Sequence, residues 1–438
     1  MFNAFVLETN FYTILFNLWV NVFLAMRFKV VLLFLFLQFI SCAQTYQQVK
    51  KRFDNYINYH GSLNTLVQIE SDKIIFYNTQ KQIIFVLVKD DWQKMALLLK
   101  TLPEDSLEKI YLNKSAFDKY KAPTRNSVKK NLSELKIIID PGHMAGNLNM
   151  AHIEQKFLHF TKQNTPMLKQ DSVDVAEGML TFETAGVLKN MLQEKGVTVA
   201  LTRKENGTTF GCTYDEWFKN FKKKTLDSLL AIKKITAQRH KQLISENASK
   251  FFIDFFKDYE LQQRVRVINV FKPDMTVIIH YNVDEKNTDW KKPSDKNFCM
   301  TFIPGCLIAD NIKTTQGQLN LLRLLLTDDL DESEKISGLV VNQLSQQLKI
   351  PVASKTDATY LSEHCLASST IGVYSRNLAL CRMVQSPLVY GECLYQDSEN
   401  ECYNLMQNTE TVYGIKTNKR VVLAAQSFYN AIIQFYTK

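Results

Sequence analysis

Hydrophobic positions change rhythm along the chain. Between 44 and 120, short β-branched and aromatic runs at 66–69, 74–77 and 83–88 are separated by polar turns, which predicts strands. Residues 92–100 switch to helical spacing until Leu102-Pro103 breaks it. The stretch reads as a small α+β module with no recognisable chemistry, and the polar, basic residues 121–132 read as a linker. From 133 to 438 strands alternate with helices. Ile137-Ile138-Ile139 is an unbroken apolar run, as expected of a strand covered on both faces. Leu180, Val187, Leu188 and Met191 fall on one helical face, with Gly196 as its stop. Segments 197–201, 275–279 and 388–390 repeat the buried-strand pattern. The alternation predicts an α/β domain, a mostly parallel twisted sheet flanked by helices. In such a sheet the site lies beyond the carboxyl ends of the strands.

Two stretches interrupt the alternation. Residues 204–262 predict a helical insertion, with eight basic residues against one acid, Asp227, between 218 and 241. With Trp217, Phe221, Leu226, Leu229 and Leu230 alongside, this predicts an amphipathic basic helix. Such a helix either docks on an anionic polymer or a partner, or presents a solvated face while packing on the core. Residues 306–332 form the second interruption and end in the acidic run Asp328-Asp329-Leu330-Asp331-Glu332.

The amino end is apolar in a different way. Residues 30–40 are hydrophobic but too few to span a bilayer as a permanent helix. Arg27 and Lys29 precede them, and Ser41-Cys42-Ala43 follow. A positive start, a short apolar stretch and a small-residue exit predict a secretory signal over 1–43, with Met26 as the functional start. The alternative is a membrane anchor made of 11–24 and 30–40. Phe39-Ile40-Ser41-Cys42 also resembles a bacterial lipobox, so either Cys42 is lipidated and attached to the membrane, or cleavage follows Ala43. Both outcomes predict an exported protein of the periplasm or cell envelope.

Composition narrows this little. A net charge of +9 fits any polyanion and selects none. Gly (14) and Pro (9) are too scarce for collagen-like or low-complexity architectures. Without Cys42, seven cysteines are left, an odd number with no C-x-x-C, so buried thiols are expected and not a disulfide framework. Cys299 and Cys306, flanking a turn expected at Ile303-Pro304-Gly305, are the one suggestive pair.

Three strands each deliver titratable groups at one edge. Ile139 runs into Asp140-Pro141-Gly142-His143, residues 277–279 into His280 with Tyr281-Asn282 beyond, and 388–391 into Glu392. A carboxylate after an apolar strand is costly to bury alone, so a metal or hydrogen-bond partner is expected near it. Glu177 opens the helix that carries Leu180, where the helix dipole favours an acid anyway. With His143 and His280 it would complete a His₂Glu set, a catalytic zinc arrangement with a fourth position for water. No H-x-x-x-H or C-x-x-C supports that set. His152 and His159 fit a cleft or a surface, and His364 beside Cys365 is a weak thiol–imidazole pair. Arg376 and Arg382 fit either an anionic peptide or ion pairing on a helix surface. No G-x-S-x-G, G-x-x-x-x-G-K-[ST] or H-E-x-x-H is present, which removes serine-hydrolase, P-loop and zincin readings.

Taken in order, Asp140-Pro141-Gly142-His143, Glu177, Leu201-Thr202-Arg203, Arg264 to Asn269, His280 and Pro387 to Glu392 resemble the zinc-dependent N-acetylmuramoyl-L-alanine amidases of bacterial cell walls. The resemblance covers residues 133–438. It implies an α/β amidase domain that hydrolyses the amide between N-acetylmuramic acid and L-alanine in peptidoglycan. It implies Zn²⁺ on His143, Glu177 and His280, with Glu392 as general base and not a ligand. On this reading Asp140 orients a ligand histidine, and Arg376 and Asn282 bind substrate. Peptidoglycan is then the partner and nucleic acid is not, with room for a regulatory protein.

The chain also departs from the family pattern. Met144-Ala145 stand where the family has Gly-Gly, the loop from His143 to Glu177 is long, and 204–262 is inserted. Nothing in the family accounts for 44–130. Two rival readings keep the same fold: a zinc peptidase or deacetylase acting on another amide, and a non-catalytic wall-binding lipoprotein. Competent residues at all four active-site positions count against the second.

Overall fold

A computed structural model describes residues 44–120, 130–144, 147–166, 168, 171–204, 207–287 and 291–437. The expected signal, Met26, Cys42, and most of the expected linker lie outside the described residues. Strands β1 (Val67–Ile69), β2 (Lys73–Tyr77) and β3 (Ile83–Val88) form a small antiparallel sheet, followed by the helix Trp92–Thr101. Leu102-Pro103 ends that helix, and Glu104–Tyr111 and Lys114–Lys119 follow as short helices. The helix Tyr46–Arg52, capped by Thr45, precedes the sheet.

This module is docked on the rest of the chain. Arg52 is buried and donates to Asp331 and to the Leu325 carbonyl. The Tyr56 hydroxyl donates to Glu334, and that of Tyr111 to Gln318. The acidic run thereby finds its place. Asp329, Asp331 and Glu332 sit in the first turn of the helix Asp329–Leu348, where the dipole favours acids. Lys100, Arg52 and Arg323 supply the counter-charges.

The larger part is built on β4 (Lys136–Pro141), β5 (Phe157–Thr161), β6 (Ser172–Ala176), β7 (Thr198–Leu201), β8 (Met275–Asn282), β9 (Met300–Pro304), β10 (Cys365–Ala367), β11 (Val373–Arg376) and β12 (Leu388–Tyr395). Seven of these form one sheet, ordered β10-β11-β9-β12-β8-β4-β7. Pairings β11–β9, β12–β8, β4–β8 and β4–β7 are parallel, whereas β10–β11 and β9–β12 are antiparallel. The sheet is thus mostly parallel and flanked by helices.

The apolar run of β4 is explained by its two faces. Ile137 and Ile139 join the core that includes Val187, Leu188, Val340 and Phe428; Ile138 joins the opposite one, with Ile268, Phe302 and Leu380. Alternate side chains of a strand point to opposite faces, so a strand buried on both must be apolar throughout.

Two local expectations are corrected. The region read as a turn between Cys299 and Cys306 is strand β9 through Pro304, and only Gly305 and Cys306 turn. Pro304 ends the strand beyond Phe302, the last residue of β9 that pairs with β12. Both cysteines are free, as are all the described cysteines, and all but Cys212 are buried. The basic stretch is not one amphipathic helix either. It breaks into three helices, Tyr214–Asn220, Lys222–Ala231 and Ala237–Ser245, with Trp217 and Leu226 buried and Phe221 exposed. These helices and Phe251, Phe252 and Phe256 make an aromatic cluster that packs on Met144 and Met150. Among the described residues, no helix is long and apolar enough to cross a membrane.

Candidate metal centre and active-site cleft

Parallel strands β4, β8 and β12 carry their polar residues out at one edge. Gly142, just past β4, donates its N–H to the Ile279 carbonyl. A Cβ on Gly142 would lie 2.4 Å from the His280 ring, so only glycine lets the two strand ends meet this closely. His143 follows in left-handed backbone, at φ 61°. Its carbonyl accepts 2.6 Å from Arg264 Nη2. Strand β6 runs directly into the helix Glu177–Gln193, which places Glu177 at the first helical residue, facing both histidines.

The three side chains converge. Glu177 Oε2 lies 3.0 Å from His143 Nε2, and its Oε1 lies 3.0 Å from His280 Nδ1. One ligand atom from each residue falls within 4.8 Å of the others. Tyr281 N–H also donates to Oε1 and Gln396 Nε2 to Oε2, so the carboxylate is held from every side. Burial pushes the Glu177 carboxyl up, but the two imidazoles outweigh it and hold the group well below the usual carboxylate range. Two imidazole nitrogens and one anionic oxygen are a donor set suited to a zinc-like divalent ion.

Glu392 stands beside this set. On β12 it pairs in register with His280 on β8. It is buried, and its Oε2 has no hydrogen-bond partner among the described residues. Burial and the neighbouring Glu177 charge push its pKa up to about 7 against the pull of His280, Arg376 and Lys156. The four groups line a cleft of about 340 Å³ with Asn282, Tyr360 and Arg376. The Arg376 guanidinium lies 4.7 Å from the Phe302 ring and 4.6 Å from the Tyr360 ring. Asn282 Nδ2 donates to the Tyr360 hydroxyl.

Among the described residues, Asp140 pairs with neither His143 nor His280. Its carboxylate accepts from Thr202 and pairs with Arg264, which also donates to the Pro141 and His143 carbonyls. Arg203 donates to the Pro141, Gly142 and Gly178 carbonyls. The two buried arginines thus brace the turn that carries His143, and Asp140 acts on it through Arg264. His152 packs on Phe157 and His159 pairs with Asp174; neither lines the cleft. Arg382 donates to Asn377 and stays outside it.

Sequence reasoning missed Tyr360, Tyr390, Lys156 and Gln396, which line or brace the site. Tyr390 stacks on the His280 ring at 4.6 Å and 7°. Only Gln396 carried a signal, a polar residue shortly after an apolar strand.

Residues 137–417 match the family described as N-acetylmuramoyl-L-alanine amidase (Amidase_3). Among solved structures, the CwlD amidase from Clostridioides difficile in complex with the GerS lipoprotein is 15% identical, with a TM-score of 0.36, over 69% of this chain and 98% of that one. The catalytic domain of CwlV, an N-acetylmuramoyl-L-alanine amidase from Bacillus (Paenibacillus) polymyxa var. colistinus, is 13% identical with a TM-score of 0.35, over 69% and 97%. The N-acetylmuramyl-L-alanine amidase Ami1 from Mycobacterium smegmatis is 14% identical with a TM-score of 0.36, over 70% and 99%. No curated protein matches the chain.

Proposed function

Because the chain belongs to the N-acetylmuramoyl-L-alanine amidase family, we propose that it is a zinc-dependent peptidoglycan hydrolase that cuts the amide between the lactyl group of N-acetylmuramic acid and L-alanine. The observation that carries this reading is the convergence of His143, Glu177 and His280, with the buried Glu392 carboxylate opening on the same cleft.

When bound, zinc supplies Lewis acidity, which makes water nucleophilic near neutral pH and polarises a carbonyl. Glu392 takes the proton of the attacking water as the new carbon–oxygen bond forms. It returns that proton to the alanine nitrogen as the carbon–nitrogen bond breaks. The products are a free lactyl carboxylate and a free peptide amine. Arg376, packed against the Phe302 and Tyr360 rings, binds a carboxylate of the stem peptide, and Asn282 positions the cleft wall through Tyr360. The reaction takes place in the cell envelope, on a chain either anchored through lipidated Cys42 or released after Ala43.

The test is mass spectrometry of purified sacculi digested by the protein, paired with metal analysis. Release of intact stem peptides from glycan, with about one zinc per chain, is expected. Cleavage inside the peptide, or loss of acetyl groups alone, would replace this reading with a peptidase or a deacetylase.

A further inference from the structure

The long segment between His143 and Glu177 brings a second carboxylate to the centre. Its helix Leu148–Glu154 packs Met150 and Ala151 into the aromatic cluster of the insertion. Glu154, at the end of that helix, has a side chain only 3% exposed. Both its oxygens accept from the Met144 N–H, at 3.0 and 3.1 Å. Oε1 lies 3.8 Å from His143 Nδ1, while His143 Nε2 faces Glu177 on the other side of the ring. The imidazole therefore stands between two carboxylates, one on the metal side and one behind it.

The peptide that follows His143 needs support. A left-handed backbone at a non-glycine residue is strained and persists only where its surroundings over-determine it. Arg264 holds the carbonyl of that peptide and Glu154 holds its N–H. Among the described residues, the carboxylate paired with His280 is Glu177, and Glu392 stands beside it in register; the His280 ring stacks on Tyr390. The sequence has Met144-Ala145 at this point, not a pair of glycines that would bend freely.

We propose that Glu154 is the positioning residue of His143: it holds the peptide that follows the histidine and stands behind the ring at Nδ1, so that Nε2 is the nitrogen offered to the metal. A carboxylate behind a ligand histidine sets ring orientation and raises ligand basicity. The long loop and the helical insertion thus serve the metal centre, one supplying the carboxylate and the other bracing it. This inference rests on the metal reading proposed above.

Zinc affinity of the full exported chain, measured by chelator competition, tests it. Glu154→Gln keeps an oxygen for the Met144 N–H but removes the charge. Affinity should fall about 10–100-fold with the thermal melt preserved. Parental affinity in Glu154→Gln would overturn the proposal. A second readout needs no variant: ¹⁵N spectra of the zinc-loaded parent should show His143 bound through Nε2 with its proton on Nδ1, and a ring bound through Nδ1 would overturn the proposal. A parent that binds no zinc would sink the metal reading instead.

Discussion

Glu392 and His280 stand opposite each other in register on the parallel strands β12 and β8. Neighbouring residues of parallel strands point the same way, so a carboxylate and an imidazole share one side of the sheet and one cleft. Only the imidazole faces Glu177 within bonding distance. Glu392→Gln should therefore keep zinc at about one equivalent while turnover falls about 10²–10⁴-fold. His280→Ala should lose metal and activity together. Metal analysis beside sacculus digestion checks both, and a Glu392→Gln protein that sheds its zinc would make Glu392 a ligand.

Gly142 sets how closely β4 and β8 approach. A Cβ there would lie 2.4 Å from two atoms of the His280 ring and 2.7 Å from Nδ1. The ring already stacks on Tyr390, so Gly142→Ala must displace His280. A shift of about 1 Å in a catalytic group costs about 10²-fold in rate. Steady-state kinetics with chelator competition should show that loss alongside weaker metal binding. Parental kinetics would mean the turn yields instead of the ring.

The strands beneath the site were legible because burial on both faces forces an unbroken apolar run, as at 137–139. The residues proposed as ligands stood out because each ends or begins such an element. Strands β9 to β11 did not. Cys365–Ala367 and Val373–Arg376 are too short for a period to emerge, and Pro304 hides the end of β9. Glu154, Tyr360 and Gln396 reach the site by tertiary packing, and no local pattern marks a residue that matters only for what it faces in space. The basic stretch misled because eight positive charges were counted without knowing which way Lys222 points.

That lysine is the exception among its neighbours. Lys222 is buried, donates to the Ile244 and Glu246 carbonyls, and lies 4.4 Å from the Phe218 ring and 4.6 Å from the Phe251 ring. Lys222→Glu would face a carboxylate with two carbonyl oxygens and should cost about 3–5 kcal/mol. Lys223 is exposed and pairs with the exposed Asp227, so Lys223→Glu should stay within about 1 kcal/mol of the parent. Chemical denaturation separates the two. Equal effects would show that Lys222 is solvated like the others.

Asp397 gives the fold a pH dependence of its own. It is fully buried at the end of the β12 segment, beside Asp284. Burial pushes its pKa up to about 6; hydrogen bonds from Asn287 and the Asp284 N–H oppose this, and the Asp284 charge adds to it. The unfolded chain titrates this group near 3.8. Between those values the folded state holds more protons than the unfolded one, so stability falls as pH rises from about 4 to about 6. The full shift corresponds to at most about 3 kcal/mol. Asp397→Asn removes the titration and also one acceptor, so the variant should start below the parent at pH 4. Its deficit should shrink by up to that amount by pH 7, because only the parent acquires a buried charge on the way. Denaturation curves for both proteins at pH 4, 5, 6 and 7 measure the difference. A constant gap across that range would mean Asp397 keeps its ordinary pKa in the folded chain.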